Sequence, residues 1–313
     1  MNDNFRSFTN NQQMIAHMRK LAKESKTTTE VILEEYTLDD FVQRIAKSKY
    51  RNNLILKGGF LLSSLMGINN RTTEDIDTDI KGKDLSLPEV TKMVDEICEI
   101  IPVKNDPITI ERVGKIEKLH EGARYVGYRV HLLGTLYDKS RANIKIDVST
   151  GDVITPKEIK YTYKSLIDGT PIEIAAYNNE TIIAQKLETV FSRSIANTRM
   201  KDFYDLYMLN NLRKLTGYQQ LKLDLPLTKQ ALINTAMSRK SYDEIFEKLD
   251  DNQFLWQFTF SEIESNAAMK KKWENYTHEK AYAENIEFQD TLIAIKELMT
   301  ELFSENLTVK RYK

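Results

Sequence analysis

The first part of the chain has hydrophobic positions at helical spacing. Residues 11–24 and 28–48 place apolar side chains every three to four positions, and Thr27-Thr28-Thr29-Glu30 has the form of a capping box at the start of the second segment. This pattern predicts two helices that precede the first strand.

Shorter segments with strand character follow. Residues 53–57 form an apolar run that Gly58 and Gly59 terminate, and residues 60–66 and 87–101 return to helical spacing. Further runs rich in Ile, Val, Tyr and Thr predict strands at about 75–81, 107–113, 124–135, 142–149 and 171–177.

From Asn178 onward the pattern is nearly all helical. We therefore predict an α/β (α+β) fold, in which a mixed-sheet domain with a helical lead-in covers residues 1–177. An α-helical bundle domain is predicted over residues 178–313.

Composition narrows the class of protein. The chain has 313 residues, 41% of them hydrophobic, and a formal net charge of -1, so it lacks the overall positive charge of a general nucleic-acid binder. Met1–Lys20 has no apolar core of a signal peptide, and no run approaches the roughly 18 apolar residues of a membrane span. The single cysteine, Cys98, lies among apolar residues at helical spacing, which indicates an unreactive thiol in the core. We expect a cytoplasmic protein without a membrane partner.

Acidic residues alternate with apolar ones in two predicted strands. In the segment 75–80, Asp75 and Asp77 point to one face, and Asp147 repeats the pattern between Ile146 and Val148. Three close carboxylates repel one another, and a hard divalent ion such as Mg²⁺, or Mn²⁺ as an alternative, relieves that repulsion.

The acidic segment does not have the pattern of a calcium-binding loop. Ile80 stands where such a loop needs glycine, and Ser86 stands where it needs a bidentate glutamate. These residues alone are also compatible with a solvated strand end that binds no ion.

The turn Lys57-Gly58-Gly59 lies between a strand and a helix. Glycine lets backbone N–H groups approach a triphosphate, and a helix N-terminus adds a favourable dipole, although an ordinary strand-to-helix turn has the same sequence.

A second group of candidate residues lies in the helical part. Lys186 and Arg193 are seven positions apart and share a helix face, where they could bind a triphosphate or form a solvated basic surface. Asp202 and Asp205 lie one turn apart and could orient Lys186 or an acceptor hydroxyl, or simply interact with the helix dipole.

Together these segments resemble a known family. Leu56-Lys57-Gly58-Gly59 followed by Arg71-x-Thr73-x-Asp75-x-Asp77 is similar to the AbiEii/AbiGii toxin family, whose fold is that of the polymerase-β-like nucleotidyltransferases. The block Ile183-Ala184-Gln185-Lys186-Leu187, Arg193 and the segment 197–207 resemble the second motif of that family. Thr73 replaces the usual serine, and Lys201 separates Arg199 from Asp202, so either cation could take the role of the family arginine.

The resemblance implies a nucleotidyltransferase toxin of a bacterial toxin–antitoxin or abortive-infection system, which acts against phage and is encoded beside an antitoxin. It implies an NTP substrate and, from the related MenT-type toxins, transfer to the 3′ end of tRNA. The metal ligands would be Asp75, Asp77 and Asp147, and the catalytic set would add Lys186, Asp202 and Asp205. The nucleotide-binding residues would be Lys57, Gly58, Gly59, Arg71, Thr73, Lys186, Arg193 and Arg199.

Two competing functions are also compatible with the sequence, and the first of them uses the same acids. A metal-dependent phosphohydrolase would turn over NTP without an acceptor, because water would be its nucleophile. A non-catalytic module that only holds a nucleotide or a partner protein would keep its biological activity after Asp77→Asn.

Overall fold

A computed structural model describes residues 10–82, 85–102, 106–119, 127–137, 139–166, 169–248 and 254–304. Within these residues the chain forms seven strands and eleven α-helices. The strands are β1 (Leu54–Lys57), β2 (Asp75–Ile80), β3 (Ile108–Leu119), β4 (Gly127–Leu136), β5 (Ser140–Ser149), β6 (Ile159–Lys164) and β7 (Pro171–Ala176). The helices are α1 (Asn11–Glu24), α2 (Thr29–Lys47), α3 (Gly58–Met66), α4 (Leu87–Cys98), α5 (Asn179–Arg193), α6 (Met200–Leu212), α7 (Leu225–Arg239), α8 (Tyr242–Phe246), α9 (Leu255–Ser265), α10 (Ala267–Glu279) and α11 (Phe288–Leu302).

The chain divides into two compact units. The first takes in the described residues up to Gly151 together with Ile159–Ala176, and the second takes in Asp152–Glu158 and the described residues from Tyr177 onward. The segment 152–158 belongs to the second unit because Asn178, the N-cap of α5, and Thr181 bind its backbone. Asn178 Nδ2 donates to the Thr155 carbonyl at 2.8 Å, and Thr155 N donates to Thr181 Oγ1 at 3.0 Å.

The first unit is built on one mixed sheet with the strand order β3-β4-β5-β2-β1-β7-β6. Only the pairs β2–β5 and β1–β7 are parallel among the described strands, and the other neighbours are antiparallel. The β4–β5 hairpin brings β5 beside β2, although about seventy residues separate these two strands along the chain. This long-range pairing places the two acidic segments next to each other.

Helix α2 is buried on every side over most of its length. Besides its apolar residues, Glu35, Asp39, Asp40, Gln43 and Arg44 are all at most 3% exposed. Buried charges require partners of opposite charge. Arg44 forms two ion pairs, one with Asp40 at 2.6 Å and one with Asp106 at 2.8 Å. The spacing of apolar residues predicted a helix here, and the structure places that helix inside the unit with its polar side chains buried as well.

The second unit consists of α5 to α11 and short connecting segments. Its core is apolar and rich in aromatic side chains, with ring contacts between Phe203 and Phe288 and between Phe191 and Trp256. Among the described helices, none combines the length and the hydrophobicity that crossing a bilayer requires.

The predicted fold class, a mixed-sheet domain followed by a helical region, is confirmed. The strand β6 was not predicted. Among the described strands it lies at the edge of the sheet and pairs with β7 alone, and two of its rings pack on other elements: Tyr163 contacts Phe60, and Tyr161 contacts Ser64. The helix predicted at 87–101 ends at Cys98, and residues 124–126 of a predicted strand lie outside the described residues.

Candidate active site

Three carboxylates converge on one face of the sheet. Asp75, Asp77 and Asp147 each offer an oxygen atom, and these atoms lie within 4.8 Å of one another. Each side chain is partly exposed, so an ion could reach it from solvent. An all-oxygen donor set of this kind fits a hard divalent cation such as Mg²⁺.

Strand register brings this triad together. Asp77 lies directly opposite Asp147 in the parallel β2–β5 pair, and Asp75 precedes Asp77 by the two positions that return a strand to the same face. Ile76 and Ile146 are paired on the opposite face and are completely buried. The apolar residues therefore anchor both strands in the core, and this anchoring holds the acids at the surface.

The glycine turn packs directly against the acids. Gly58 has φ +67°, and a Cβ atom on it would lie 1.8 Å from Asp77 Oδ2. A Cβ atom on Gly59 would lie 2.3 Å from Thr73 Oγ1, and the Gly59 N–H points to Asp77 Oδ2 at 3.4 Å. The two glycines are therefore required by the acidic strand as well as by the start of α3.

Thr73 orients one of the acids. Its hydroxyl donates to Asp75 Oδ1 at 2.9 Å, and its backbone N–H donates to Glu35 Oε1 at 2.6 Å. Thr73 is 8% exposed. The residue predicted to bind nucleotide thus touches a triad carboxylate on one side and the interior helix α2 on the other.

Arg129 binds Asp147 in a bidentate pair. Its Nε donates to Asp147 Oδ1 at 2.8 Å, and a terminal nitrogen donates to Oδ2 at 2.7 Å. This bond raises the pKa of Arg129 above its ordinary value. Sequence reasoning missed Arg129, although the hairpin offered a signal: counting outward from the Leu136–Ser140 pair places Arg129 opposite Asp147.

Two basic residues predicted to bind nucleotide lie close to the triad segments. Lys57 Nζ donates to Ser149 Oγ at 2.8 Å and lies 4.0 Å from Asp79. Arg71 is 5% exposed, and its guanidinium contacts the Thr72 carbonyl. Both residues are in the first unit, and Arg71 is turned into its interior.

Lys186 forms an ion cluster in the second unit. Its Nζ contacts Asp202 Oδ1 at 2.8 Å and Asp205 Oδ2 at 2.7 Å, and these aspartates are 2% and 0% exposed. Burial by itself lowers the pKa of Lys186, but the two aspartates outweigh it and raise the pKa. Burial by itself raises the pKa of Asp202, but Lys186 and Arg199 outweigh it and lower the pKa. Lys186 and Asp202 are therefore both charged at neutral pH.

The remaining predicted residues lie at the surface of the second unit. Arg193 is exposed at the end of α5, and Arg199 is exposed while its Nε contacts Asp202 Oδ2 at 3.1 Å. Of the two cations considered for the family arginine, Arg199 is therefore the one that binds an acid of the Lys186 cluster, just before the first residue of α6.

Most of the predicted site residues thus fall into two groups. One group, in the first unit, contains Lys57, Gly58, Gly59, Thr73, Asp75, Asp77 and Asp147. The other, in the second unit, contains Lys186, Arg199, Asp202 and Asp205. Their roles in binding and catalysis stay predictions.

The sequence matches one known protein family over most of its length. Residues 40–294 match the family model described as "Nucleotidyl transferase AbiEii toxin, Type IV TA system". No curated protein gave a significant match.

Solved structures with similarity to the chain include proteins from two organisms. A candidate nucleotidyltransferase from H. pylori is 16% identical, with a TM-score of 0.45, over 88% of this chain and 95% of that chain. JHP933 from Helicobacter pylori is 18% identical, with a TM-score of 0.38, over 80% and 97% of the two chains. An antigenic nucleotidyltransferase-like protein from Paracoccidioides brasiliensis is 15% identical, with a TM-score of 0.35, over 66% and 89%.

The class of protein follows from the family match, which covers well over half of the chain and describes nucleotidyltransferases that act as toxins. The chain belongs to the AbiEii family of toxin–antitoxin systems. The resemblance seen in the two motif blocks is confirmed, and the match extends beyond them on both sides.

Proposed function

We propose that this protein transfers a nucleotide from an NTP to the 3′ end of an RNA acceptor, tRNA, with Mg²⁺ held by Asp75, Asp77 and Asp147. The observation that carries the proposal is the convergence of the three carboxylate oxygens within 4.8 Å, in a chain that belongs to a nucleotidyltransferase family. A pair of divalent ions bound there would activate the acceptor hydroxyl and neutralise charge on the leaving pyrophosphate.

The chain's own residues would position the reactants. Asp75 and Asp77 would hold ions, and Asp147 would complete the set and orient the acceptor hydroxyl while Arg129 holds its carboxylate. Gly58 and Gly59 would leave room for phosphates at the start of α3, and Lys57 would add a positive charge. Catalysis would then depend mainly on positioning and charge neutralisation.

An RNA acceptor is supported by basic residues on the acid-bearing face of β5. Lys145 lies opposite Asp75 in the β2–β5 pair, and Arg141 is exposed four positions earlier. Such side chains can contact an RNA backbone. Lys186 is proposed to bind the triphosphate, a role that rests on the family motif. A cognate antitoxin follows from the family description.

The test uses four samples: wild type, Asp77→Asn, wild type with a chelator, and Glu111→Gln. Glu111 is an exposed carboxylate on β3 and serves as the matched control. Each sample is incubated with one labelled NTP at a time, Mg²⁺ and total RNA. We expect tRNA-sized label only with wild type and Glu111→Gln.

Two results would contradict the proposal. Release of phosphate or pyrophosphate at the same rate with and without RNA would assign a phosphohydrolase. Undiminished toxicity of the Asp77→Asn variant in cells, together with an absence of labelled RNA, would assign a non-catalytic binding module.

A further inference from the structure

Glu35 is a buried acid behind the candidate active site. It lies on α2, ahead of the residues that match the family model, and it is 1% exposed. Its Oε1 accepts a hydrogen bond from the Thr73 backbone N–H at 2.6 Å, whereas Oε2 has no hydrogen-bond partner in the described part of the chain. Removing a carboxyl group from water costs several kcal/mol. The hydrogen bond from Thr73 is the largest favourable polar interaction that offsets this cost, and the nearby positive charge of Arg71 adds to it.

Thr73 depends on this contact for its position. It lies in the irregular segment before β2, so its backbone N–H bonds to a side chain and not to a neighbouring strand. On its other side the Thr73 hydroxyl reaches Asp75 Oδ1 at 2.9 Å, and Gly59 leaves the space that the hydroxyl occupies. A shift of Thr73 would therefore move the donor that orients Asp75.

We propose that Glu35 is a positioning residue for the metal site: it holds Thr73 so that the threonine hydroxyl fixes the carboxylate of Asp75. The inference rests on the proposed function, because it assumes that Asp75 is an ion ligand. Glu35 lies behind Thr73 and is buried away from the solvent that reaches the triad, so it acts through Thr73.

The chemistry of Glu35 defines the informative substitutions. Burial raises the pKa of Glu35 to about 8, so its carboxyl group is largely protonated at neutral pH and glutamine is a close substitute. Glu35→Gln keeps an oxygen that can accept from Thr73 N–H. Glu35→Ala removes that acceptor and leaves the N–H buried without a partner.

The experiment measures Mn²⁺ affinity by electron paramagnetic resonance, and then kcat and KM for labelling of RNA. We expect Glu35→Ala to weaken Mn²⁺ binding about tenfold and to lower kcat by about 10- to 100-fold, with the KM for NTP changed by less than about threefold, because a ligand misplaced by about 1 Å is costly. Glu35→Gln should stay within about threefold of wild type in each quantity.

Asp39 provides the matched control. It lies one turn further along α2, is completely buried, and accepts from Ser165 Oγ at 2.7 Å and Gln43 Nε2 at 3.2 Å, so its hydrogen bonds run to groups other than Thr73. Asp39→Ala removes a buried carboxyl group from the same helix. It should lower the melting temperature while leaving Mn²⁺ affinity near the wild-type value.

Thr73→Val tests the connection from Glu35 through Thr73 to Asp75 without changing a residue of α2. It removes the hydroxyl bond to Asp75 and should weaken Mn²⁺ binding as Glu35→Ala does. In the double variant, kcat should be no lower than in the more impaired single variant, because both changes interrupt the same connection.

The outcomes separate this inference from the proposed function. Mn²⁺ binding that is lost in Asp77→Asn but unchanged in Thr73→Val or in a folded Glu35→Ala would overturn the positioning role. The same holds if Asp39→Ala weakens Mn²⁺ binding as much as Glu35→Ala. Failure of wild type to label any RNA overturns the proposed function, while the Mn²⁺ affinities still decide the role of Glu35.

Discussion

Arg129 donates two parallel hydrogen bonds to Asp147, the acid that lies directly across the β4–β5 pair from it. The pair fixes both oxygens of the one triad acid that comes from β5. Because a bidentate contact sets orientation as well as charge, Asp147 has a defined geometry before any ion is present.

Loss of Arg129 is expected to impair catalysis more than folding. Arg129→Ala should lower kcat about 10- to 100-fold, and Arg129→Lys should lower it less, because lysine supplies a point charge without the two-pronged geometry. The kcat of each variant is measured by steady-state labelling of RNA.

Arg112 is the control for that variant. It forms a comparable bidentate pair with Asp95, at 2.7 and 3.0 Å, on the neighbouring strand β3. Arg112→Ala should keep kcat within about twofold of wild type, because this pair contains none of the triad acids. Loss of a surface ion pair costs about 1 kcal/mol or less of stability, so the variant should also stay folded. Equal losses of kcat in both variants would argue against a specific role for Arg129.

Gly58→Ala should abolish metal binding. The new methyl group would lie 1.8 Å from Asp77 Oδ2, so Asp77 would have to leave its position. Gly67→Ala is the matched control, because Gly67 also has a positive φ, +88°, but has open space where the methyl group would go.

Both glycine variants should lose about 1–3 kcal/mol of stability from backbone strain. Only Gly58→Ala should lose Mn²⁺ binding and RNA labelling. A Gly58→Ala protein that binds Mn²⁺ as tightly as wild type would contradict the predicted contact with Asp77.

Lys186 is expected to be essential for stability whatever its role in binding NTP. Lys186→Met leaves Asp202 and Asp205 buried with their shared partner removed, which should cost about 3–5 kcal/mol in urea unfolding. Combining it with Asp202→Asn and Asp205→Asn should restore most of that loss, because no uncompensated charge then remains.

The restored triple variant separates stability from function. If Lys186 or the two aspartates that contact it also bind or orient the substrate, this variant should fold well and still show a raised KM for NTP. A Lys186→Met single variant as stable as wild type would contradict the ion cluster.

Glu35 should make stability depend on pH. Its pKa is raised from 4.5 in the unfolded chain to about 8 by burial, so the folded protein binds this proton more tightly. The contribution is fully present below pH 4.5 and is lost as the pH rises through 8. Between these values wild type should lose stability relative to Glu35→Gln on the order of 4 kcal/mol.

Asp39 gives a comparison within the same helix. Burial raises its pKa from 3.8 to about 6, so the corresponding stability should be lost as the pH rises through 6, and the difference between wild type and Asp39→Asn should be smaller and should level off above that pH. Urea unfolding across pH 4 to 9 measures both. A flat difference between wild type and Glu35→Gln over this range would contradict the buried, protonated state.

Much of the candidate site could be predicted from local sequence. The alternation of acidic and apolar residues in β2 and β5 predicted that Asp75 and Asp77 share one face of their strand and that Asp147 lies opposite its apolar neighbours, because the two-residue period of a strand is a local property. The glycine turn could also be predicted, because it too is encoded in a few consecutive residues. Arg129 required the register of a hairpin, and Glu35 had no local signal, since its partner Thr73 lies 38 positions away.

The sequence by itself determined the family, six of the seven strands, the helical character of the region after Asn178, and which residues of the acidic strands lie on the same face. The tertiary structure decided that β5 pairs with β2, that Arg129 and Thr73 hold the acids, and that Lys186 pairs with Asp202 and Asp205. The physical reason is that periodicity arises from the backbone of each segment alone, whereas pairing and burial depend on which distant segments meet when the core forms.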